Sequence, residues 1–193
     1  MRAGCEVGTG DYCLFGFKWG TGNDFLVGSG VEAEGPRRSG GVVTYSFQNT
    51  SDLSFSGAPS QPFSDLPAGL ESMDTIRSAF RHWAEVADIE FQELPDEAQD
   101  ADLKLFVADI EGNGRGFPNI PQCGDIAGLI VYDPTVAHRD GTFFAYALHE
   151  IGHALGLGHC RGGNVMSVSR QRNNVTDLRR GDIQGIREIY GER

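Results

Sequence analysis

His149-Glu150-Ile151-Gly152-His153-Ala154-Leu155-Gly156-Leu157-Gly158-His159 gathers three of the chain's five histidines into eleven residues. Residues four apart share one face of an α-helix, so His149 and His153 can present two imidazole nitrogens to one point. Glu150 follows the first of them and can reach a water held at that point. Gly156 lies three residues beyond His153, where a glycine can take positive φ and end the helix. The chain then turns back and offers His159 as a third ligand. Three nitrogen ligands with one open position describe a catalytic zinc site, whereas a structural site closes its shell with a fourth protein ligand. Incidental histidines on a helix would produce a bare His-Glu-x-x-His far more readily than this extended pattern.

Around this segment the chain has 193 residues, enough for one well-buried domain. No run approaches the ~20 apolar residues of a membrane span. The first residues, Met1-Arg2-Ala3-Gly4-Cys5-Glu6, hold no apolar signal-peptide core, so an export segment is either already removed or not used. A net charge of −11 excludes a nucleic-acid surface and favours solubility. Glu85 to Glu111 holds ten acids against one base, Lys104, while arginines collect at 161, 170, 172, 179, 180, 187 and 193. A solvated acidic face is the plain reading of the first cluster, and attraction of cationic substrates is the sharper one.

Cys5, Cys13, Cys123 and Cys160 allow three pairings. Cys5 and Cys13 are close enough in sequence to close a small loop, which leaves Cys123 with Cys160. An even count fits an oxidising compartment. Four thiols in a cytosolic protein is the alternative. Cys160 as a zinc ligand is a third idea, and it loses because His159 already holds the motif position.

Residues 1–41 are glycine-rich and read as an N-terminal arm and loop, with Leu14 to Gly20 as a strand or ordered arm. Residues 42–193 read as one domain. Val42–Phe47 alternates and is β-branched, so it is a strand. Residues 48–68 read as loop. Met73, Ile76, Phe80, Trp83 and Ala87 follow helical spacing, which predicts a helix from Ser72 to Ala87 with Ser72 as N-cap. His82 falls off that stripe and reads as a surface residue. Ile89–Leu94 and Leu103–Val107 alternate as strands, Glu111–Gln122 reads as a long loop, and Gly128–Asp133 is a fourth strand. Phe143–Leu155 is the motif helix, and Asp182–Tyr190 closes the chain as a short helix. This order predicts an α+β fold with a twisted mixed sheet and two long helices. The motif helix floors a cleft, with an upper subdomain to about residue 156 and a small lower subdomain over 157–193.

Asn164-Val165-Met166-Ser167 carries the resemblance further. A methionine shortly after the third histidine resembles the Met-turn of the metzincins, the zinc proteases that share the extended motif. Within that clan the chain is similar to matrixin and serralysin catalytic domains. Trp83–Phe91 resembles their first helix running into the second strand, Ala101–Leu105 the next strand, and Leu178–Gly191 the last matrixin helix. The resemblance covers roughly residues 42–191. It implies a zinc endopeptidase in which His149, His153 and His159 bind Zn2+, Glu150 is the general base, and Met166 lies beneath the metal. It also implies an extended protein or peptide substrate along an edge strand, for which Gly128, Leu129, Ile130, Val131 and Tyr132 fit. Asp182 matches the aspartate that supports the Met-turn.

Departures from the pattern limit the transfer. Val168 stands where serralysins place a zinc-binding tyrosine. Residues 111–127 contain no histidine for the structural zinc of matrixins, and His138 alone builds none. Gly181 stands where matrixins often carry an aspartate that pairs with the new N-terminus. The chain holds no nonapeptide calcium repeats. Ca2+ has a candidate cluster in Asp109, Glu111, Asn113, Asp125 and Asp133. Arg2–Val7 is faintly similar to a matrixin cysteine switch, with a different residue order.

The expected function is peptide-bond hydrolysis by metal-activated water with Glu150 as base, in a secreted, monomeric enzyme with no nucleic-acid partner. A dedicated processing protease with one protein substrate is one alternative. A non-catalytic, zinc-stabilised binding module is the other, and loss of the general base would have marked it.

Overall fold

The computed structural model describes residues 12–15, 18–19, 41–50, 54–55, 58–66, 69–119, 123–135, 142–167 and 175–193. In chain order these form β1 (Cys13–Leu14), β2 (Val42–Phe47), β3 (Ser54–Phe55), β4 (Ala58–Gln61), α1 (Gly69–Val86), β5 (Glu90–Glu93), β6 (Leu103–Ala108), β7 (Gly114–Gly116), β8 (Leu129–Tyr132), α2 (Thr142–Ala154), β9 (Leu157–Gly158) and α3 (Arg180–Tyr190). Short 3-10 turns cover Phe63–Asp65 and Gly124–Ile126. The α+β class expected from the sequence is the observed one.

The main sheet runs β5-β2-β6-β8-β7, with β4 beside the C-terminal half of β6. β2, β5, β6 and β8 are mutually parallel, and β7 runs antiparallel to β8. Alternation decides which face is dry. Leu103, Leu105 and Val107 of β6 join Ile130 and Tyr132 of β8 in the main core, beneath the two long helices. Phe106, Ala108 and Val131 point the other way and form a small cluster with Ile110 and Leu129. The five stripe residues of α1, Met73, Ile76, Phe80, Trp83 and Ala87, are all buried. The Trp83 indole donates to the Leu148 carbonyl at 3.1 Å and ties α1 to α2. α2 is buried from Ala145 to Ala154, its polar His149, Glu150 and His153 included, because it packs against α1, β7 and β8. α3 closes over the end of α1. Arg187 Nε donates to the Val86 carbonyl at 2.7 Å and Arg193 to the Ala84 carbonyl at 2.7 Å, both last-turn carbonyls without helical partners.

Several sequence expectations need correction. The strand over Gly128–Tyr132 is not the sheet edge, since β8 is bonded to β6 on one side and β7 on the other. The edge is β7, inside the segment 111–122 that reads as loop. Its Gly-Arg-Gly sequence has no strand propensity, and tertiary pairing overrides that. Ser72 is not the helix N-cap, because α1 starts a turn earlier at Gly69. Ser72 is 2% exposed and its hydroxyl has no partner. Residues 48–68 are not all loop, since β3, β4 and a 3-10 turn fall within them. His82 is half-buried rather than a plain surface residue, with its ring edge-on to Phe144 at 5.0 Å.

The glycines of β7 let the edge strand approach α2. A Cβ on Gly116 would stand 2.0 Å from the Glu150 carbonyl oxygen, and one on Gly114 would stand 2.8 Å from Glu150 Cγ. The first obstacle is backbone and cannot yield. Gly116→Ala is therefore expected to destabilise by at least the upper end of the ~1–3 kcal/mol usual for overpacking. Denaturant unfolding measures it, and an unchanged midpoint would show that β7 is not held against α2.

Candidate metal centre and catalytic site

α2 carries His149, Glu150 and His153 on its buried side, with exposures of 1%, 4% and 9%. The helix ends at Ala154, and Gly156 turns the chain with φ of +109°. β9 then leads straight to His159. The result is convergence: His159 Nε2 lies 3.2 Å from His149 Nε2 and 3.1 Å from His153 Nε2. Among the described residues this is the one group of three or more His, Cys, Asp or Glu whose ligand atoms gather this closely.

The donor chemistry fits a metal. His149 Nδ1 lies 2.8 Å from the Val165 carbonyl oxygen, and His153 Nδ1 lies 2.8 Å from that of Leu157. A carbonyl only accepts, so each Nδ1 carries the proton and each Nε2 presents a lone pair. The His149 and His153 lone pairs converge on His159 Nε2, a donor set suited to one shared cation. Nitrogens about 2.0–2.1 Å from a tetrahedral zinc stand about 3.3 Å from one another, close to the observed spacing. Such partners on the far ring nitrogen fix the tautomer and the ring orientation.

Val165 belongs to the tight turn Asn164–Ser167 beneath the histidines. Asp182, 1% exposed at the start of α3, accepts the backbone N–H groups of Val165 at 2.9 Å, Met166 at 3.1 Å and Arg179 at 2.9 Å. Burial pushes its carboxyl pKa up, and these three donors pull against that shift. Met166 is 2% exposed and fills the space beside the only small residue between the two helical ligands. A Cβ on Gly152 would stand 2.4 Å from Met166 Sδ and 3.0 Å from Trp83 Cζ2. Sequence reasoning thus located Met166 and Asp182, and the structure brings both to the triad.

It does not bring together everything expected. Among the described residues no three of the carboxylates of Asp109, Glu111, Asp125 and Asp133 gather within ligand distance of one another, and the Asn113 amide donates to the Tyr146 hydroxyl at 2.7 Å. Asp133 is engaged otherwise: one oxygen accepts the Thr135 N–H at 2.8 Å and the other the Ile110 N–H at 3.2 Å. The Cys123–Cys160 bridge is not formed, and both are thiols. Cys160 is turned into the core beside the Met166 turn, whereas Cys123 is half-buried at the head of the 3-10 turn Gly124–Ile126. The Cys160 thiol pKa is pushed up by burial first, with Asp182 and Cys13 adding to it. Cys13 is a neighbour because β1 pairs with β9, a contact that sequence distance conceals. Cys5, His138 and Val168 lie outside the described residues, and with them the Cys5–Cys13 pairing and the cysteine-switch likeness.

The sequence reading missed β7 and the backbone carbonyls of Leu157 and Val165. Two glycines at alternate positions, Gly114 and Gly116, were the signal for a strand in close backbone approach.

Residues 132–191 match the matrixin family profile. The chain is 33% identical over 131 residues to the hatching enzyme of Paracentrotus lividus, covering 61% of this chain and 22% of that protein. It is 28% identical over 180 residues to human matrix metalloproteinase-15, covering 80% of this chain and 26% of the relative. With metalloendoproteinase 1-MMP of Arabidopsis thaliana it shares 32% identity over 143 residues, or 63% and 38% of the two chains. The match thus spans well under half the length of these relatives.

Gly152→Ala is expected to push Met166 from its seat, because the Trp83 ring on the other side is locked by its bond to Leu148. The expected loss is ~1–3 kcal/mol of stability, read by denaturant unfolding. Parental stability would mean that Met166 has room to move.

Proposed function

We propose that this chain, of the metzincin type by its matrixin match and its three converging histidines, is a zinc-dependent endopeptidase. The observation that carries the reading is the meeting of three imidazole Nε2 atoms beside a buried carboxylate, against the open edge of a sheet. His149, His153 and His159 would hold the ion. When bound, zinc supplies Lewis acidity, which polarises a carbonyl and brings the pKa of a water toward ~7.

The chain's own residues supply the rest. Glu150 is on α2 one residue past the first ligand, and its side chain lies against Gly114 of β7. In this reading a Glu150 Oε takes the proton of the attacking water and later delivers it to the leaving amide nitrogen. Burial shields that carboxylate from bulk water and keeps it beside the reacting atoms. β7 takes over the substrate role that the sequence assigned to residues 128–132. It is bonded to β8 on one side, and an extended peptide can add along the other. Gly114 and Gly116 bring that edge close to Glu150, which supports a bound backbone lying beside the general base.

A monomeric, secreted enzyme goes with this reading. Among the described residues Val42 is the one large hydrophobic side chain left exposed, which favours a single chain in solution. No described helix is long and apolar enough to cross a membrane.

The test is cleavage of an unfolded protein by the purified chain. Activity should disappear with a zinc chelator and return with Zn2+. Glu150→Gln should keep the ion and lose at least the ~10²–10⁴-fold that general acid–base help contributes. A zinc-loaded parent without peptidase activity would favour the non-catalytic binding module, and a fully active Glu150→Gln would remove the proposed base.

A further inference from the structure

The five consecutive carbonyls from His153 to Leu157 are each hydrogen-bonded. The His153 carbonyl accepts the Gly156 N–H at 3.0 Å, within the helix end itself. The Ala154 carbonyl accepts the Trp19 indole Nε1–H at 2.6 Å. The Leu155 carbonyl accepts the Tyr190 hydroxyl at 3.2 Å. The Gly156 carbonyl accepts the Phe15 N–H at 2.8 Å. The Leu157 carbonyl accepts from His153 Nδ1 at 2.8 Å. The last carbonyls of a helix have no helical partners, and burial without partners is costly. Here three consecutive ones are met from outside the histidine motif, by the N-terminal arm and the last helix.

The arm and the last helix also hold each other. The Trp19 backbone N–H donates to the Tyr190 hydroxyl at 3.2 Å, so that hydroxyl accepts from the arm and donates to the turn. Tyr190 is fully buried and Trp19 is 9% exposed. β1 pairs with β9 in the register Cys13↔Gly158 and Leu14↔Leu157, directly before His159. The Phe15 ring lies 6.1 Å from the His153 ring. The Asn119 amide donates to the Lys18 carbonyl at 3.3 Å and anchors the arm from the far side.

We propose that Trp19 and Tyr190 are positioning residues for His159: they clamp the chain reversal over 154–158 and thereby set the third ligand against the first two. The inference rests on the zinc-site reading above and deepens it. Neither side chain touches the ligand cluster. Their effect runs through the backbone of the reversal, whose shape decides where His159 Nε2 lies relative to His153 Nε2. A loosened reversal leaves two helical histidines in place and lets the third drift. That outcome is a weaker and less regular metal site, distinct from a merely less stable fold.

Tyr190→Phe removes both hydrogen bonds and keeps the buried ring. Trp19→Phe removes the indole donor and keeps an aromatic side chain. Ser46→Ala is the control, because Ser46 is fully buried and donates to the Pro95 carbonyl at 2.8 Å in a region remote from the histidines. All three are expected to lower the unfolding midpoint. The readouts that separate positioning from stability are Zn2+ affinity by chelator competition and the visible absorption of the Co2+-loaded protein. Tyr190→Phe is expected to weaken Zn2+ binding about 10–100-fold, the usual effect of losing a partner that orients a ligand, and to alter the Co2+ bands. Trp19→Phe should shift both in the same direction, and Ser46→Ala should bind both ions as the parent does. A Tyr190→Phe protein with parental Zn2+ affinity and parental Co2+ absorption overturns the positioning role. Equal weakening in Ser46→Ala overturns it too, since general destabilisation would then explain the loss. A folded parent that binds neither ion overturns the zinc-site reading itself and the inference with it.

Discussion

Three neutral imidazoles must aim their Nε2 lone pairs at one point, and this arrangement has no favourable energy of its own until a cation occupies it. The protein therefore has to impose it. Two of the rings are aimed by helix geometry, but their rotation about χ is fixed by carbonyls that lie elsewhere: Val165 for His149 and Leu157 for His153. The peptide that carries the Val165 carbonyl is in turn held by the Asp182 carboxylate through the Met166 N–H. One buried acid at the head of α3 thus orients a ring on α2 through a single peptide unit. Its charge is tolerated in the core because three backbone donors converge on it.

The same constraint explains why α2 is enclosed on every side. A helix that presented its histidines to open solvent would need no Met166, no Gly152 and no glycine-bearing edge strand. Here Trp83 fastens α2 to α1, Met166 fills the notch at Gly152, and β7 comes near enough to meet the Glu150 backbone. Small residues stand where one element must nearly touch another. Large ones stand where the gap is wide.

What could be read in the sequence was whatever has a period or a fixed spacing. The eleven-residue histidine segment, the stripe of α1 and the alternation of β2, β6 and β8 each depend on local geometry, so they were legible. Met166 and Asp182 were legible only through family likeness. β7 was not, because its strand character comes from pairing with β8 and from room left by two missing side chains. The cysteines misled for a related reason. Cys160 follows His159 in sequence, but its side chain goes into the core, and the thiol near it is that of Cys13, 147 positions earlier by residue number. Trp19 and Tyr190 carried no signal either. Each looks like an ordinary aromatic core residue until their bonds to consecutive carbonyls are seen.

The bond between Trp19 and Tyr190 spans 171 positions, nearly the whole chain. A ribosome releases the arm well before α3. While the chain is being made, the histidine segment emerges before Asp182 and Tyr190 exist to orient it. Contacts of such long range form late, since loop closure must precede them. The three rings are therefore brought into register only once α3 has been made, well after the histidines themselves.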